Sequence, residues 1–374
     1  MTIEELCSIR ISKPDPGIRD EAKKRWDAIA KPIDGLGRME EIICRIASAR
    51  GELCPDISKK ALVIMCADNG VVREGVSQTD QSVTGQVAHL MGERKSSVGI
   101  MIRGYGADIF TIDVGINSDE KYRGVIDRKV RKGTADIALG PAMTERECLK
   151  AIEAGIGTVR DCSEKGYGLI AAGEMGIGNT TTGTALLCAL TGMDPALLTG
   201  PGAGLPESGL KRKEQVIRNA LELHLREIGE NGTLSPQGEN TAEGFDSPQS
   251  VFECLRRLGG LDIAGMTGVF IGGAMYRIPV VIDGLICAAA ALTAQRIVNG
   301  CREYMIASHT GREKGTDVAL DLLQLSPVIC ADLSLGEGTG AVMLFPLLDM
   351  AMALYAEGSS FSETGIRKYE RYQG

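Results

Sequence analysis

The chain reads as an α/β protein, a parallel sheet of about six strands with helices on both faces, and three observations predict this. First, short aliphatic runs recur without polar alternation, as strands buried on both faces require. They are "ALVIMCAD" (61–68), "DIFTIDVG" (108–115), "GLIAAGE" (168–174), "PVVIDG" (279–284), "YMIASH" (304–309) and the less regular "PVICADL" (327–333). Second, a helical pattern follows each run, the βα alternation of a doubly wound fold. Third, each run ends in polar residues or glycine: Asp68-Asn69-Gly70, Asp113 and Gly115, Glu174, Asp283-Gly284, Ser308-His309. Ligands of open parallel sheets bind beyond the carboxyl ends of the strands, where these clusters would meet, although each also serves as ordinary turn chemistry.

Two regions fall outside this pattern. Residues 19–51 are amphipathic and helical, split at "KPIDGLG" (31–37). Residues 229–248 are polar and rich in turn formers, which predicts a surface loop. No internal repeat is visible.

Composition narrows the function. The 374 residues carry a net charge of −8, only 4% are aromatic, and no basic run exceeds "KRK" (211–213), so neither a nucleic-acid surface nor a base-stacking platform is expected. The eleven cysteines form no CxxC pair and no zinc-spaced cluster. Cys66, Cys287 and Cys330 lie in apolar runs and are expected to be reduced core thiols of a cytoplasmic protein. The N-terminal residues lack the apolar stretch of a signal peptide. The most apolar segment, 268–294, is interrupted by Arg277, Pro279 and Asp283, so no membrane span is expected.

Two glycine-rich junctions carry the chemistry. "GEMGIGNTTT" (173–182) is neither a P-loop, which needs a lysine after its last glycine, nor a dinucleotide fingerprint, because Gly183 comes too late after Gly176 and Gly178. It is a tight turn leading into a helix N-terminus, with Asn179, Thr180 and Thr181 available as caps or as donors to a phosphate. In "SLGEGTGA" (334–341) Glu337 stands between two glycines ahead of a long apolar helix, where it would serve as a proton acceptor or as a helix cap. His89 and His224 lie in helical patterns and read as structural; His309, at a strand end, is a weaker site candidate. No nucleophile–base pair and no set of metal ligands is visible.

Taken together, "KPIDGLGRMEE" (31–41), "ADNGVVREGVSQTDQSVTGQ" (67–86), "GEMGIGNTT" (173–181), "GPGAGL" (200–205), "GGLDIAGMTG" (259–268), "PVVIDG" (279–284), "ASH" (307–309) and "LGEGTGA" (335–341) resemble the nicotinate-nucleotide–dimethylbenzimidazole phosphoribosyltransferase family, in the same order and across almost the whole chain. The resemblance implies a Rossmann-like domain over residues 51–341, with a small helical lobe from residues 1–50 and 342–374. It also implies a homodimer that needs neither metal nor cofactor. The implied reaction moves a phosphoribosyl group from nicotinate mononucleotide to a benzimidazole-type base in cobalamin biosynthesis. Glu337 matches the family's general base. Glu174, Gly176, Gly178, Asn179, Thr180, Thr181, Gly202 and Lys213 match its nucleotide surroundings, and Ser77, Gln86 and Leu335 its base surroundings.

Several positions depart from the family pattern. Asn69 replaces a histidine, and "VSQTDQ" (76–81) puts Thr79 and Asp80 where an aromatic and a proline are usual. "GPGAG" (200–204) lacks an arginine and a threonine, "TGREKGT" (310–316) replaces "SAEPGH", and Asp262 replaces a glutamate. The more polar loop predicts a wider range of acceptor bases. Two competing readings are another mononucleotide-cleaving enzyme and a non-catalytic sensor; an acid held at the attack position weighs against both.

Overall fold

The computed structural model describes residues 1–202, 204–228 and 245–370. Six strands form one all-parallel sheet in the order β3-β2-β1-β4-β5-β6: β1 (Lys60–Ala67), β2 (Ala107–Gly115), β3 (Val125–Asp127), β4 (Leu169–Met175), β5 (Val280–Ile282) and β6 (Met305–Ala307). The chain runs outward from β1 to β3, then crosses back to β4 on the other side of β1. That reversal opens a crevice at the carboxyl ends of β1 and β4.

The sheet is buried on both faces because its strands alternate between two cores. Ala61, Val63, Met65 and Ala67 of β1 join one apolar cluster, while Leu62, Ile64 and Cys66 join the other. In β4, Ile170 and Ala172 face the first and Leu169 and Ala171 the second. A side-chain period of two thus needs apolar residues at every position, which is why the runs do not alternate in polarity.

Five of the six expected strands take their places in this sheet. The sixth expectation, 327–333, is corrected: β7 (His309–Gly311) and β8 (Ile329–Leu333) form a separate parallel pair beside the main sheet. Most of β8 is solvent-exposed, and Cys330 with it, against the expectation of a core thiol. The sheet's sixth strand is instead β3, whose Ile126 and Asp127 are exposed. Of the expected loop 229–248, residues 229–244 lie outside the described residues.

The helices Pro16–Ala28 and Arg38–Arg50 match the expected split at 31–37. They pack against Thr339–Glu357 from the other end of the chain: the Trp26 and Tyr355 rings lie 5.0 Å apart, and Arg25 Nε donates to the Tyr355 carbonyl at 2.9 Å. These residues share their core with Leu62, Ile64 and Ala171 of the sheet. Thr339–Glu357 is long and apolar enough to cross a membrane, but half of it is buried inside the fold, as in a core helix.

On the opposite face, Glu145–Glu164 and Leu261–Met275 approach backbone to backbone. A Cβ on Gly155 would stand 2.0 Å from the Gly265 carbonyl oxygen, and one on Gly268 would stand 2.0 Å from that of Ile152. This crossing fixes the height of Leu261–Met275, whose first turn carries Asp262 toward the crevice. Gly155→Ala should therefore destabilise the protein by about 1–3 kcal/mol, the usual cost of overpacking. Urea denaturation measures it, and a change within about 0.5 kcal/mol, as for a neutral surface substitution, would show that the two helices separate without strain.

Candidate active site

A cleft of about 310 Å³ opens at the carboxyl ends of β4, β5 and β6. Its wall includes Glu174, Gly176, Asn179, Thr180, Gly202, Asp283, His309, Glu313, Leu335 and Glu337. The strand-end clusters at Glu174, Asp283-Gly284 and His309 do gather here, as the sequence predicts.

Glu337 owes its position to backbone geometry. Gly336, Glu337 and Gly338 all take left-handed φ values (84°, 61° and 82°), which a non-glycine residue adopts only at a cost. This coil lies directly on the end of β4: a Cβ on Gly173 would meet the Glu337 carbonyl oxygen at 2.9 Å, and one on Gly336 would meet Glu174 Oε1 at 2.9 Å. Two contacts hold the coil. Asp283 accepts hydrogen bonds from the Gly338 N–H at 3.2 Å and the Ala341 N–H at 3.0 Å, capping the helix Thr339–Glu357. Glu337 Oε2 accepts from the Val98 N–H at 3.1 Å, at the start of the short helix Ser97–Met101, which orients the carboxylate and leaves Oε1 available.

Four acidic side chains crowd this end of the cleft. Asn179 Nδ2 donates to both Glu174 and Asp262, to the latter at 3.0 Å. Burial, with repulsion from Asp262, Asp283 and Glu337, pushes the Glu174 carboxyl up to about 8 against the opposing Asn179 hydrogen bond. Burial likewise raises Asp262 to about 6, opposed by Asn179 and nearby N–H groups. Asp283 is raised by burial, and the neighbouring His309 partly offsets this; burial lowers His309, whose Nδ1 lies 2.8 Å from Ser308 Oγ.

At the other end of the cleft a cation, Lys213, stands behind the wall formed by Thr180 and Gly202, and Glu313 lines the wall near it. Lys213, fully buried, donates to Thr180 Oγ1 at 2.9 Å and to the Gly200 carbonyl at 3.0 Å. Burial depresses its ammonium to about 8, with Glu313 pulling the other way. Two of its three donors are thus engaged among the described residues. Gly202, at φ 55°, would bring a Cβ within 2.9 Å of Thr180 Oγ1 and 3.6 Å of Lys213 Nζ, so only glycine leaves this corner open.

The helix N-terminus at Asn179 is more occupied than its sequence suggests. The Asn179 N–H donates to the Gly176 carbonyl at 3.1 Å, and those of Thr181 and Thr182 donate to the Gly178 carbonyl at 2.9 and 3.4 Å. Gly178, at φ 95°, makes the turn and stands outside the cleft wall. Thr181 is fully buried, behind the wall formed by Thr180. Gly176 is constrained by close packing, since a Cβ there would meet the Ala67 carbonyl oxygen at 2.4 Å and Asp262 Oδ2 at 2.5 Å. Ser77 and the exposed Gln86 lie outside the wall, to which the helix Ser82–Gly92 contributes Val87. His89 and His224 are helical as expected, and the His224 ring meets the Ile137 carbonyl at 2.8 Å.

Sequence reading did not single out Asp262 as a carboxylate of this cluster, nor Glu313. The signals were present: an acid just after the glycine pair 259–260, and a charged "REK" at the strand end in 310–316.

A family profile described as "Phosphoribosyltransferase" matches residues 11–366. The chain is 41% identical to the nicotinate-nucleotide–dimethylbenzimidazole phosphoribosyltransferase of Ruminiclostridium cellulolyticum over 99% of both chains. It is 37% identical to that of Acetivibrio thermocellus, again over 99% of both. The crystal structure of CobT from Thermus thermophilus superposes with a TM-score of 0.84 at 35% identity, covering 95% of this chain and all of that one.

The raised Glu174 carboxyl has a consequence for stability. Folded, it keeps its proton up to about pH 8, whereas an unfolded glutamate loses it near 4.5. Its contribution is therefore fully present below pH 4.5 and is lost as pH climbs to about 8. Glu174→Gln should flatten that loss, gaining stability relative to wild type at pH 8 compared with pH 5 in urea titrations. Parallel pH profiles for the two proteins would show that Glu174 ionises as freely as in water.

Proposed function

This chain belongs to the nicotinate-nucleotide–dimethylbenzimidazole phosphoribosyltransferase family, and we propose a division of labour in its cleft from that premise. The chain is a phosphoribosyltransferase of cobalamin lower-ligand synthesis, and its substrates are small molecules. It transfers the 5-phosphoribosyl group of nicotinate mononucleotide to a benzimidazole-type base, giving the α-riboside phosphate and nicotinate.

The observation that carries the reading is Glu337, a strained acid held between two glycines on the end of β4 with its carboxylate on the cleft wall. As the base's ring nitrogen attacks the anomeric carbon, the glycosidic bond to nicotinate breaks. The pair of electrons leaves with the pyridine nitrogen, and Glu337 takes the proton from the attacking ring. Nicotinate leaves as a neutral pyridine nitrogen, so no acid is needed on the departing side. Positive charge that spreads over the ribose in the transition state meets the Asp262 and Asp283 carboxyls, fixed before reaction by Asn179 and the Gly338 and Ala341 N–H groups, with Glu174, which keeps its proton to about pH 8, turning only a carbonyl dipole toward it. Thr180, Gly202 and the third donor of Lys213 provide the phosphate corner, with Gly176 and Asn179 along the ribose. Gly178 and Thr181 support that wall from behind. Leu335, with Ser77 and Gln86 closing over it when the base binds, lines the acceptor side.

Thr79 and Asp80 make that side polar, and we propose that acceptors beyond dimethylbenzimidazole are used. One assay addresses both points: nicotinate mononucleotide with equal dimethylbenzimidazole, benzimidazole, hydroxybenzimidazole and adenine, products read by mass. Several products should form, and Glu337→Gln should slow all of them by about 10²–10⁴, as loss of a general base does, with nucleotide binding kept. A strict dimethylbenzimidazole preference would remove the base-range proposal. Near wild-type turnover by the Gln variant would assign Glu337 to positioning alone.

We also propose a cytoplasmic homodimer. Eleven free thiols suit a reducing compartment. Met343, Met350 and Leu354 expose an apolar stripe on Thr339–Glu357, beside exposed Ile100 of the contacting helix Ser97–Met101. Light scattering should give twice the chain mass, and Met350→Glu should lower it; a monomeric wild type would end this proposal.

A further inference from the structure

A second, larger cavity of about 920 Å³ lies at the other end of β6, bounded by the residues that lead into that strand and by the N-terminal segment. Six cationic side chains line it: Arg10, Lys13, Arg19, Arg45, Arg296 and Arg302. Among the described residues a single acid, Glu303, lines it with them, in a chain whose net charge is −8. Such a concentration of one sign against the overall balance is costly unless a counter-charge arrives.

The cations are only partly paired. Arg19 meets Glu41 at 3.3 Å, Arg296 meets Asp246 at 3.1 Å, and Arg302 meets Glu303 at 3.2 Å. Among the described residues Arg10 reaches only main-chain carbonyls, those of Cys7, Ser8 and Ile9. Lys13 forms no salt bridge among the described residues. Arg45 is largely buried; one of its terminal nitrogens donates to the Arg302 carbonyl, and its Nε has no partner among the described residues. Burial lowers the Arg45 guanidinium against a weaker pull from Glu303.

The walls are built rather than incidental. Tyr304 Oη donates to the Ser12 carbonyl at 2.8 Å and Ser48 Oγ to the Asp15 carbonyl at 2.7 Å, which tie the segment carrying Arg10 and Lys13 down across the opening. Ile9, Ile11, Pro14 and Pro248 supply an apolar side. Cations interleaved with aliphatic surface fit a phosphorylated small molecule, and the volume falls in the range of small-molecule sites.

We propose that this cavity is a second ligand site, distinct from the catalytic cleft, for a small molecule bearing two or more linked phosphates. It lies at the amino end of β6, whose carboxyl end leads to His309 in the cleft.

Calorimetric titration of the full chain tests this with inorganic tripolyphosphate in one arm and ATP without magnesium in the other, at about 0.15 M ionic strength to screen surface charge. At least one probe should bind with a dissociation constant below about 100 µM, a free energy accessible to a few charge-assisted contacts. Tripolyphosphate binding as well as ATP assigns recognition to the phosphates alone; tighter ATP binding assigns it to a nucleotide. The double variant Arg10→Ala, Lys13→Ala changes exposed residues with no salt bridge among the described residues, and should fold and turn over normally. It should bind either probe at least about tenfold more weakly. Absence of binding to both probes, unchanged affinity in the double variant, or displacement of the probe by nicotinate mononucleotide would overturn the proposal.

Discussion

The site depends on one close approach, the coil Gly336–Gly338 lying on the carboxyl end of β4 with no side chain between them. Gly173 permits it from the strand side, since a Cβ there would stand 2.9–3.1 Å from Glu337 and Gly338 backbone atoms. Gly338 permits it from the coil side, where a Cβ would meet Leu62 Cδ1 at 2.6 Å. The price is a glutamate at φ 61°, and the surroundings over-determine that conformation through Asp283 beneath and Val98 alongside. Strain kept at one residue and compensated by its neighbours is what a reaction needing a fixed proton acceptor requires.

From that approach follows the electrostatic asymmetry of the cleft. Bringing Glu337 onto β4 places it near Glu174, and Leu261–Met275 adds Asp262 from the opposite side, pressed in by its glycine-mediated crossing with Glu145–Glu164. The acids crowd at the end where the ribose would gain positive charge. Lys213 is held away from Glu174, Asp262, Asp283 and Glu337, behind Thr180 and Gly202, with Glu313 as its acidic neighbour. A cleft that was uniformly acidic would repel a phosphate, and one uniformly basic would oppose an oxocarbenium-like ribose. Separation of the two along one wall lets a single nucleotide satisfy both.

Much of this was legible in the sequence, for identifiable reasons. Strands buried on both faces announce themselves as unbroken aliphatic runs, so β1, β2, β4, β5 and β6 were visible. β3 is three residues long and mostly exposed, so it carries no such signal. The run at 327–333 does form a strand, but periodicity cannot tell which partner it chooses. Glycines around Glu337 and Asn179 marked the two junctions correctly. A run of three threonines, however, cannot present all three to one side of a helix that turns about 100° per residue; Thr180 faces the cleft and Thr181 the core. The turn glycine also consumes, through its own carbonyl, N–H groups that appeared free for a phosphate. Asp262 and Glu313 carry local signals, an acid after a glycine pair and a charge at a strand end, but that they join this site is decided by long-range packing.

The departures from the family pattern become intelligible through one contact. Gln78, inside "VSQTDQ", donates its side-chain amide to the Gly204 carbonyl in "GPGAG". The two altered loops therefore touch each other, one on the base side and one at the phosphate corner. Asp80 accepts from the Ser82 N–H at 2.8 Å and so starts the helix Ser82–Gly92, whose Thr84 Oγ1 in turn accepts from the Ile177 N–H at 3.1 Å in the nucleotide turn. The two loops in which the chain departs from the family pattern are thus joined by a polar contact.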